Sequence, residues 1–190
     1  MTAAVVSVNK PRSPVSNGVL GILIFIVCEA MMFAGFISAF TIVRAGTLPV
    51  LWPPPNQPRL PANATLLNTA ALLVSGALVL WAYRRRNTRL GKDLLAAGFG
   101  LGAAFVALQG VEWLALLRQG LTLRSSALGS FFYLIVGAHA LHAVVALGAL
   151  AWAWLEMKKR DLPSGAFATV TVFWTFVVVL WPVIYLRVYF

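Results

Sequence analysis

Five long apolar stretches separated by short polar segments dominate the chain, over residues 18–43, 64–83, 94–117, 127–155 and 166–188. Each stretch has the roughly 20 apolar residues that an α-helix needs to cross the hydrocarbon core of a bilayer. None alternates between apolar and polar positions with a period of two, as the strands of a membrane barrel do. The pattern predicts an all-α, polytopic membrane protein, a bundle of five transmembrane helices in one membrane domain over residues 1–190.

The composition excludes a soluble protein. Hydrophobic residues make up 61% of the 190 residues and charged residues only 11%. A soluble domain of this size could not bury so much apolar surface, and a disordered chain would contain far less of it. The net charge of +10 is compatible with nucleic-acid binding, but the basic residues lie mainly in the gaps between the apolar stretches. This distribution is typical of membrane topology, so we expect no nucleic-acid partner.

The distribution of positive charge predicts the orientation of the helices. Ten of the fifteen Lys and Arg residues lie on the side of the amino terminus and five on the opposite side. Because positive residues are enriched in cytoplasmic loops, we expect a cytoplasmic amino terminus and an outer carboxyl terminus. The gap at residues 48–61 is rich in proline, which predicts a stiff, extended connection on the outer face. The ten are Lys10, Arg12, Arg84, Arg85, Arg86, Arg89, Lys92, Lys158, Lys159 and Arg160.

A few polar side chains lie inside the predicted spans, where a charge costs about 2.5–3.5 kcal/mol near the helix centre and so needs an explanation. Gln109 and Glu112 are three residues apart and share a helix face, and so do His139 and His142. Glu29 lies near the middle of the first helix. These five residues are the candidate site.

Two interpretations of the histidines and acids are open. One is a metal or haem site, and the other is a hydrogen-bonded network between helices that lines a cleft. The network is favoured because both histidines leave one face of one helix, with no Cys ligand and no third His. We therefore expect no metal and no redox cofactor in this chain. Glu29 is either a proton-relay group or a buried neutral acid held by one or two hydrogen bonds, and the second is favoured.

Several short motifs follow one another along the chain and together resemble subunit III of the haem–copper terminal oxidases, in the short five-helix form found in bacteria. The resemblance runs from about residue 18 to residue 190. Thr175 and Val178 stand where many members have His and Asp, and Cys28 stands in place of Ser. The motifs are C-E-A-M-M-F-A-G at 28–35, W-P-P at 52–54, L-N-T at 67–69, S-G at 75–76, Q-G-V-E-W at 109–113, G-S-F-F at 129–132 and G-A-H-A-L-H at 137–142.

The resemblance implies an accessory subunit that is not catalytic by itself. Haem and copper would be held by subunit I, with subunit II as a further partner, and the chain would stabilise subunit I and hold structural phospholipid in a cleft between its first two helices and the rest. It implies that the candidate residues line this cleft or form the internal polar network: Glu29, Gln109, Glu112, His139 and His142.

The expected complex is a cytochrome c oxidase of aerobic respiration in the bacterial cell (inner) membrane. Subunit III of a quinol oxidase and an accessory protein of a nitric-oxide reductase remain as alternatives within the same superfamily. From different classes, a small membrane transporter and a membrane cytochrome that binds haem itself also remain. A transporter would need polar residues along several helices near the midplane, and the second helix offers little beyond Asn68, Thr69 and Ser75.

Overall fold

The structure, a computed structural model, describes residues 16–47, 58–159 and 162–190. Within these ranges five helices are long and apolar enough to cross a membrane, which confirms the predicted five-helix fold. The predicted proline-rich connection lies largely outside the described residues, as do Lys10, Arg12 and Arg160. The helices are α1 (Asn17–Ala45), α2 (Ala62–Arg84), α3 (Arg89–Arg118), α4 (Ala127–Lys159) and α5 (Ser164–Val188).

The helices are longer than the apolar stretches that predicted them. The difference is largest at the start of α3, which begins at Arg89 instead of 94, and at the end of α4, which continues to Lys159 instead of 155. Hydropathy marks the part of a helix that hydrocarbon surrounds, whereas backbone hydrogen bonding continues into the polar interface. At α3 the start is set by Thr88, whose hydroxyl oxygen accepts a hydrogen bond from the backbone N–H of Gly91 at 3.1 Å.

A glycine in the left-handed conformation ends α3. Gly120 has φ 90°, and its N–H donates to the carbonyl of Leu117 at 3.1 Å. The N–H of Leu121 donates to the carbonyl of Leu116 at 3.0 Å, which completes a Schellman cap. The side chains of Leu116 and Leu121, whose backbones this second bond joins, are both buried. The cap therefore fixes the direction in which the chain leaves α3 toward α4.

The helices do not pack in sequence order. Helix α5 contacts α1, α2 and α4, and half of its membrane-spanning window is buried within the protein. Helix α2 packs most extensively along α3, and α3 also contacts α4. Within the described ranges α1 contacts only α4 and α5, and 6% of its window is buried. The large apolar surface of α1 therefore faces away from the bundle.

Small residues allow the central helices to approach closely. A Cβ atom added at Gly102 of α3 would lie 2.6 Å from the ring of Trp174 on α5. One added at Gly76 of α2 would lie 2.8 Å from Cγ1 of Val178. Since real Cβ atoms do not approach other atoms so closely, each glycine is required for its helix to pack against α5 at this distance. Glycines at helix interfaces of membrane proteins commonly have this role.

The two ends of the bundle carry different numbers of basic residues. Arg84, Arg85, Arg86, Lys158 and Lys159 lie at the end where α2 and α4 finish. The opposite end carries the basic residues of the last turns of α1, α3 and α5. The arrangement agrees with the grouping of charges used above, and the cytoplasmic position of the amino terminus stays a prediction.

Candidate functional site: buried polar clusters and a basic groove

A polar stripe runs along one face of α2 and is buried against the bundle. It consists of Thr65, Asn68, Thr69 and Ser75. These positions are separated by three, one and six residues, so they fall on one side of the helix. Ser75 Oγ donates to the carbonyl of Gly98 on α3 at 2.6 Å, which ties α2 to α3 near one end of the stripe. Near the other end, Thr65 bonds to Glu112 and Asn68 to Gln109. Thr69 Oγ1 accepts a hydrogen bond from the indole N–H of Trp181.

Gln109 and Glu112 form one hydrogen-bonded cluster with this stripe. Gln109 Nε2 donates to Glu112 Oε2 at 3.0 Å, and Thr65 Oγ1 donates to the same carboxyl oxygen at 2.8 Å. Asn68 Nδ2 approaches Gln109 Oε1 at 3.3 Å and also donates to the carbonyl of Phe105 at 3.2 Å. These bonds give partners to the carboxyl group of Glu112 and to the side-chain amide of Gln109, which would otherwise carry a desolvation cost. The Oδ1 atom of Asn68 has no hydrogen-bond partner among the described residues.

Tyr189, just after α5, completes this cluster. Gln109 Nε2 donates to its hydroxyl oxygen at 3.1 Å. Burial raises the pKa of the Tyr189 phenol, so the hydroxyl stays protonated and adds no negative charge to the cluster. Three helical regions that are distant in sequence therefore converge on the side chain of Gln109. We refer to Thr65, Asn68, Gln109, Glu112 and Tyr189 as the α2–α3 cluster.

Glu29 and His142 form a second, separate pair. The Nε2 atom of His142 lies 3.1 Å from Oε2 of Glu29, which places an acid of α1 against an imidazole of α4. The distance fits an ion pair, although this oxygen is not aligned for an ideal hydrogen bond. Both side chains are largely buried, with 12% of His142 and 17% of Glu29 exposed. Phe25, Phe33 and Phe173 surround the imidazole at ring-centre distances of 6.1, 5.7 and 6.4 Å.

The contact of Nδ1, the other ring nitrogen of His142, shows which nitrogen carries a hydrogen. Nδ1 lies 2.7 Å from the carbonyl oxygen of Ala138, which can only accept a hydrogen bond, so Nδ1 carries a hydrogen. In a neutral imidazole Nε2 is then an acceptor, and it would repel an ionised carboxylate. A single proton between Nε2 and Glu29 Oε2 removes the repulsion, whether it resides on the acid or on the ring. With this proton the pair would carry no net charge, which suits a position inside a bilayer.

His139 lies apart from both groups. It is 1% exposed, and its ring packs against the indole of Trp181 with ring centres 5.0 Å apart. Trp181 in turn donates its indole N–H to Thr69 Oγ1 at 2.8 Å. Neither nitrogen of His139 has a hydrogen-bond partner within the described part of the chain. The two histidines therefore share a helix and a region of the bundle but have different surroundings.

The five candidate residues thus fall into three places instead of one continuous network. Gln109 bonds to Glu112, and Glu29 meets His142, whereas His139 makes ring contacts only. Among the described contacts Glu112 reaches no histidine of α4, and its Oε2 atom bonds instead to Thr65 and Gln109. The polar partner of Glu29 is therefore on α4 and not on its own helix.

The arrangement does not resemble a metal or haem site. Among the described residues no three His, Cys, Asp or Glu side chains lie close enough together to hold a metal ion. His142 already uses Nδ1 and Nε2 for Ala138 and Glu29, so neither nitrogen is available as a ligand in this arrangement. That the chain binds no metal or redox cofactor stays a prediction.

A groove at the end of α1 and α5 combines two arginines with apolar walls. Its volume is about 560 Å³, and Arg44 and Arg187 lie on its rim. The guanidinium of Arg44 donates to the backbone carbonyl of Phe190, which holds the arginine at the groove. The remaining lining residues are Phe40, Thr41, Ala45, Thr47, Leu186 and Phe190. We call this the basic groove.

Sequence reasoning missed most of the partner residues. The polar stripe of α2 had a signal in the sequence. Asn68 and Thr69 follow Thr65 by three and four residues, so all three share one face of the helix. Tyr189 had no such signal, since it follows the last helix and its contact with Gln109 spans 80 residues. In the sequence, Arg44 and Arg187 indicate only the orientation of the helices in the membrane. They line the same groove because α1 packs against α5.

Comparison with known proteins identifies the family. The family model described as cytochrome c oxidase subunit III matches residues 8–190. The chain is 32% identical over 179 residues to cytochrome c oxidase subunit 3 of Felis catus, covering 89% of this chain and 67% of the relative. It is 32% identical over 188 residues to the protein of that name from Petromyzon marinus, covering 93% and 71%.

A third relative agrees with these two. The chain is 31% identical over 179 residues to cytochrome c oxidase subunit 3 of Struthio camelus. The resemblance inferred from the motifs is therefore confirmed over nearly the whole chain. The protein, with its five apolar helices, is a multi-pass membrane protein. It belongs to the cytochrome c oxidase subunit III family.

Proposed function

We propose that this chain is the accessory, non-redox subunit III of an oxygen-reducing haem–copper oxidase that takes electrons from cytochrome c. The match to the family over residues 8–190 carries this assignment. As such a subunit it assembles with subunit I, which holds the haem and copper, and with subunit II, and it stabilises subunit I during turnover. Its place is the bacterial cell membrane, in keeping with its resemblance to the short bacterial form.

The arrangement of the histidines supports a role without a redox cofactor. His142 is engaged by Glu29 and by the Ala138 carbonyl, and His139 is packed against Trp181. An optical spectrum of the isolated chain tests this part of the proposal, and it should lack a haem Soret band. A Soret band that disappears in His139→Leu or His142→Leu would overturn it.

The basic groove supports phospholipid binding. Guanidinium groups form strong charge-assisted hydrogen bonds with phosphate, and the arginines here lie beside two threonines at the end of the membrane span. The walls contain Phe40, Leu186 and Phe190, and the neighbouring surface of α1 is apolar. A phospholipid fits both surfaces, because its phosphate can bind the arginines at the rim and its acyl chains can lie along the apolar face of α1. The expected position between the first two helices and the rest does not match this packing, because α2 packs along α3 and α5.

Lipid analysis of the purified complex tests the groove. Arg187→Gln removes a rim charge and should lower the amount of tightly bound phospholipid that copurifies. Arg118→Gln is the matched control, because Arg118 lies in the last turn of α3 at the same end of the bundle but outside the groove. Equal phospholipid in the wild type and Arg187→Gln would contradict a lipid site here.

Purification in mild detergent tests the partners. The chain should copurify with a larger polypeptide that carries haem and copper, and removal of the chain should shorten the time over which the remaining oxidase stays active. An oxidase whose activity decays at the same rate with and without the chain would refute the stabilising role. Copurification with a transport ATPase or with no polypeptide at all would refute the assignment to an oxidase complex.

A further inference from the structure

The connection between α2 and α3 carries more basic residues than any other connection in the chain. Five of the nine residues at positions 84–92 are basic, and Asp93 is the first acidic residue after them. The connection between α4 and α5, at the same end of the bundle, carries three. We call positions 84–92 the arginine hairpin, and its basic residues are Arg84, Arg85, Arg86, Arg89 and Lys92.

Short backbone contacts hold the arginine hairpin in place. The backbone N–H and the hydroxyl of Thr88 both donate to the carbonyl oxygen of Arg85, at 3.0 and 2.7 Å. A Cβ atom added at Gly91 would lie 2.2 Å from the same oxygen, so the turn packs directly against the start of α3. Because these contacts fix the backbone that carries the arginines, a partner that binds them has little backbone to order.

The positive charges of the hairpin are not compensated within the described part of the chain. None of the five basic side chains forms a salt bridge with a described carboxylate. The guanidinium of Arg86 lies over the ring of Tyr83, 5.3 Å from its centre, and the first turn of α3 contains no acidic residue. Neighbouring like charges repel one another, so a negatively charged partner lowers the energy of this surface. The exposed members are Arg84, Arg85 and Arg89.

An exposed apolar face of α2 leads directly to these charges. Trp81 is 50% exposed and precedes Arg84 and Arg85 by three and four residues, so all three share one side of the helix. Val74 and Ala77 continue this side toward the middle of the span and are also exposed. Tryptophan is enriched at the boundary between hydrocarbon and headgroups, so Trp81 places the two arginines at the level of the headgroups.

This combination matches the two parts of an anionic phospholipid. Guanidinium groups bind phosphate through charge-assisted hydrogen bonds, and the apolar face beside Trp81 suits an acyl chain. An acidic protein segment outside the membrane would meet only the charges. We propose that the arginine hairpin and the Trp81 face of α2 bind an anionic phospholipid in preference to a zwitterionic one. The surface lies at the opposite end of the bundle from the basic groove.

A photoactivatable lipid tests this preference. The chain in its native complex is reconstituted in phosphatidylcholine nanodiscs that contain a small fraction of a probe, either phosphatidylglycerol or phosphatidylcholine with the same diazirine-labelled acyl chain. Mass spectrometry then measures the crosslinks on each peptide. Phosphatidylglycerol should label the part of α2 around Trp81 several-fold more than phosphatidylcholine, because nearby basic residues attract the anionic headgroup. Equal labelling by the two probes would overturn the proposal.

Paired variants test whether the arginines cause the preference. Arg84→Gln with Arg85→Gln leaves three basic residues in the hairpin and should lower the ratio of the two probes at α2 toward one. Arg84→Lys with Arg85→Lys keeps both charges and should retain most of the ratio. Lys158→Gln with Lys159→Gln is the matched control, because it removes two charges from α4 at the same end of the bundle. An unchanged ratio in the glutamine variant of α2, or an equal fall in the control, would refute the proposed site.

Measurements on the unmodified chain separate the lipid from other anions. High salt should lower the probe ratio at α2, since it screens exposed charges, and a ratio independent of salt would contradict the proposal. Inorganic phosphate at constant ionic strength should leave the ratio unchanged, and displacement of the probe would assign the surface to free phosphate instead. A carbodiimide crosslink from Lys92 to an acidic residue of another subunit would assign it to a protein partner. Either of these last two results would overturn the proposal.

Discussion

The imidazole of His142 and the carboxyl group of Glu29 meet at 3.1 Å and join the least buried helix to the rest of the bundle. Within the described residues α1 contacts only α4 and α5. The pair is a polar contact on a helix whose other contacts are mainly apolar, and it lies near the middle of α1. Since apolar side chains lose little by facing lipid instead of protein, a polar contact has a large influence on how α1 docks.

Glu29→Gln should preserve assembly of the complex and most of its oxygen consumption. The amide N–H₂ group can donate to Nε2 of His142, so the contact between α1 and α4 survives without an ionisable acid. Glu29→Ala removes the contact and should lower the thermal stability of the complex or its retention of this chain. Oxygen consumption and the midpoint of thermal dissociation measure both effects. Complete loss of turnover in an intact Glu29→Gln complex would assign an obligatory proton-transfer role to Glu29.

Gln109→Leu should destabilise the chain by about 2 kcal/mol, because hydrogen bonds in membrane proteins contribute about 0.6 kcal/mol each on average and Gln109 bonds to Asn68, Glu112 and Tyr189. The free energy of unfolding in bicelles is the measurement. Thr171→Val is the control, because the Thr171 hydroxyl donates only within α5, to the carbonyl of Phe167 at 2.8 Å. A cost for Gln109→Leu no larger than that of the control would mean that the α2–α3 cluster adds nothing to stability.

Gly76→Ala should destabilise the packing of α2 against α5 by about 1–3 kcal/mol, the usual cost of overpacking. The added methyl group would lie 2.8 Å from Cγ1 of Val178. The double variant Gly76→Ala with Val178→Ala should recover part of the loss, because it removes the clashing methyl groups. Gly100→Ala is the control, since no described atom lies within 4 Å of the added Cβ and alanine favours the helix. Equal free energies of unfolding for Gly76→Ala and Gly100→Ala would contradict the close approach.

A reporter attached after Phe190 should be exposed on the outer side of the membrane. The prediction rests on ten basic residues on the amino-terminal side against five on the other. Alkaline phosphatase, which is active only outside the cytoplasm, should be active at this position, whereas a green fluorescent protein exported there should not fluoresce. The reverse pattern would place the amino terminus outside.

The sequence predicted the helices well and their partners poorly, and α2 illustrates both. Its span was predicted at 64–83 and runs from Ala62 to Arg84. Its neighbours were not predictable, because lipid is as apolar as the protein interior and most faces of these helices are apolar. A lipid-facing side therefore has no distinctive composition. The spacing of Thr65, Asn68 and Thr69 was the exception, since several polar groups on one face require partners.

The sequence by itself determined the number of spans, their approximate limits and the family, because membrane insertion depends on local apolar length and the motifs are contiguous. Only the tertiary structure decided that Glu29 meets His142 and that Gln109 meets Tyr189, across 113 and 80 residues. It also decided that Arg44 and Arg187 share one groove. Such pairings depend on how each helix is rotated and which helix lies beside it. These are properties of the packed bundle, and no single segment contains them.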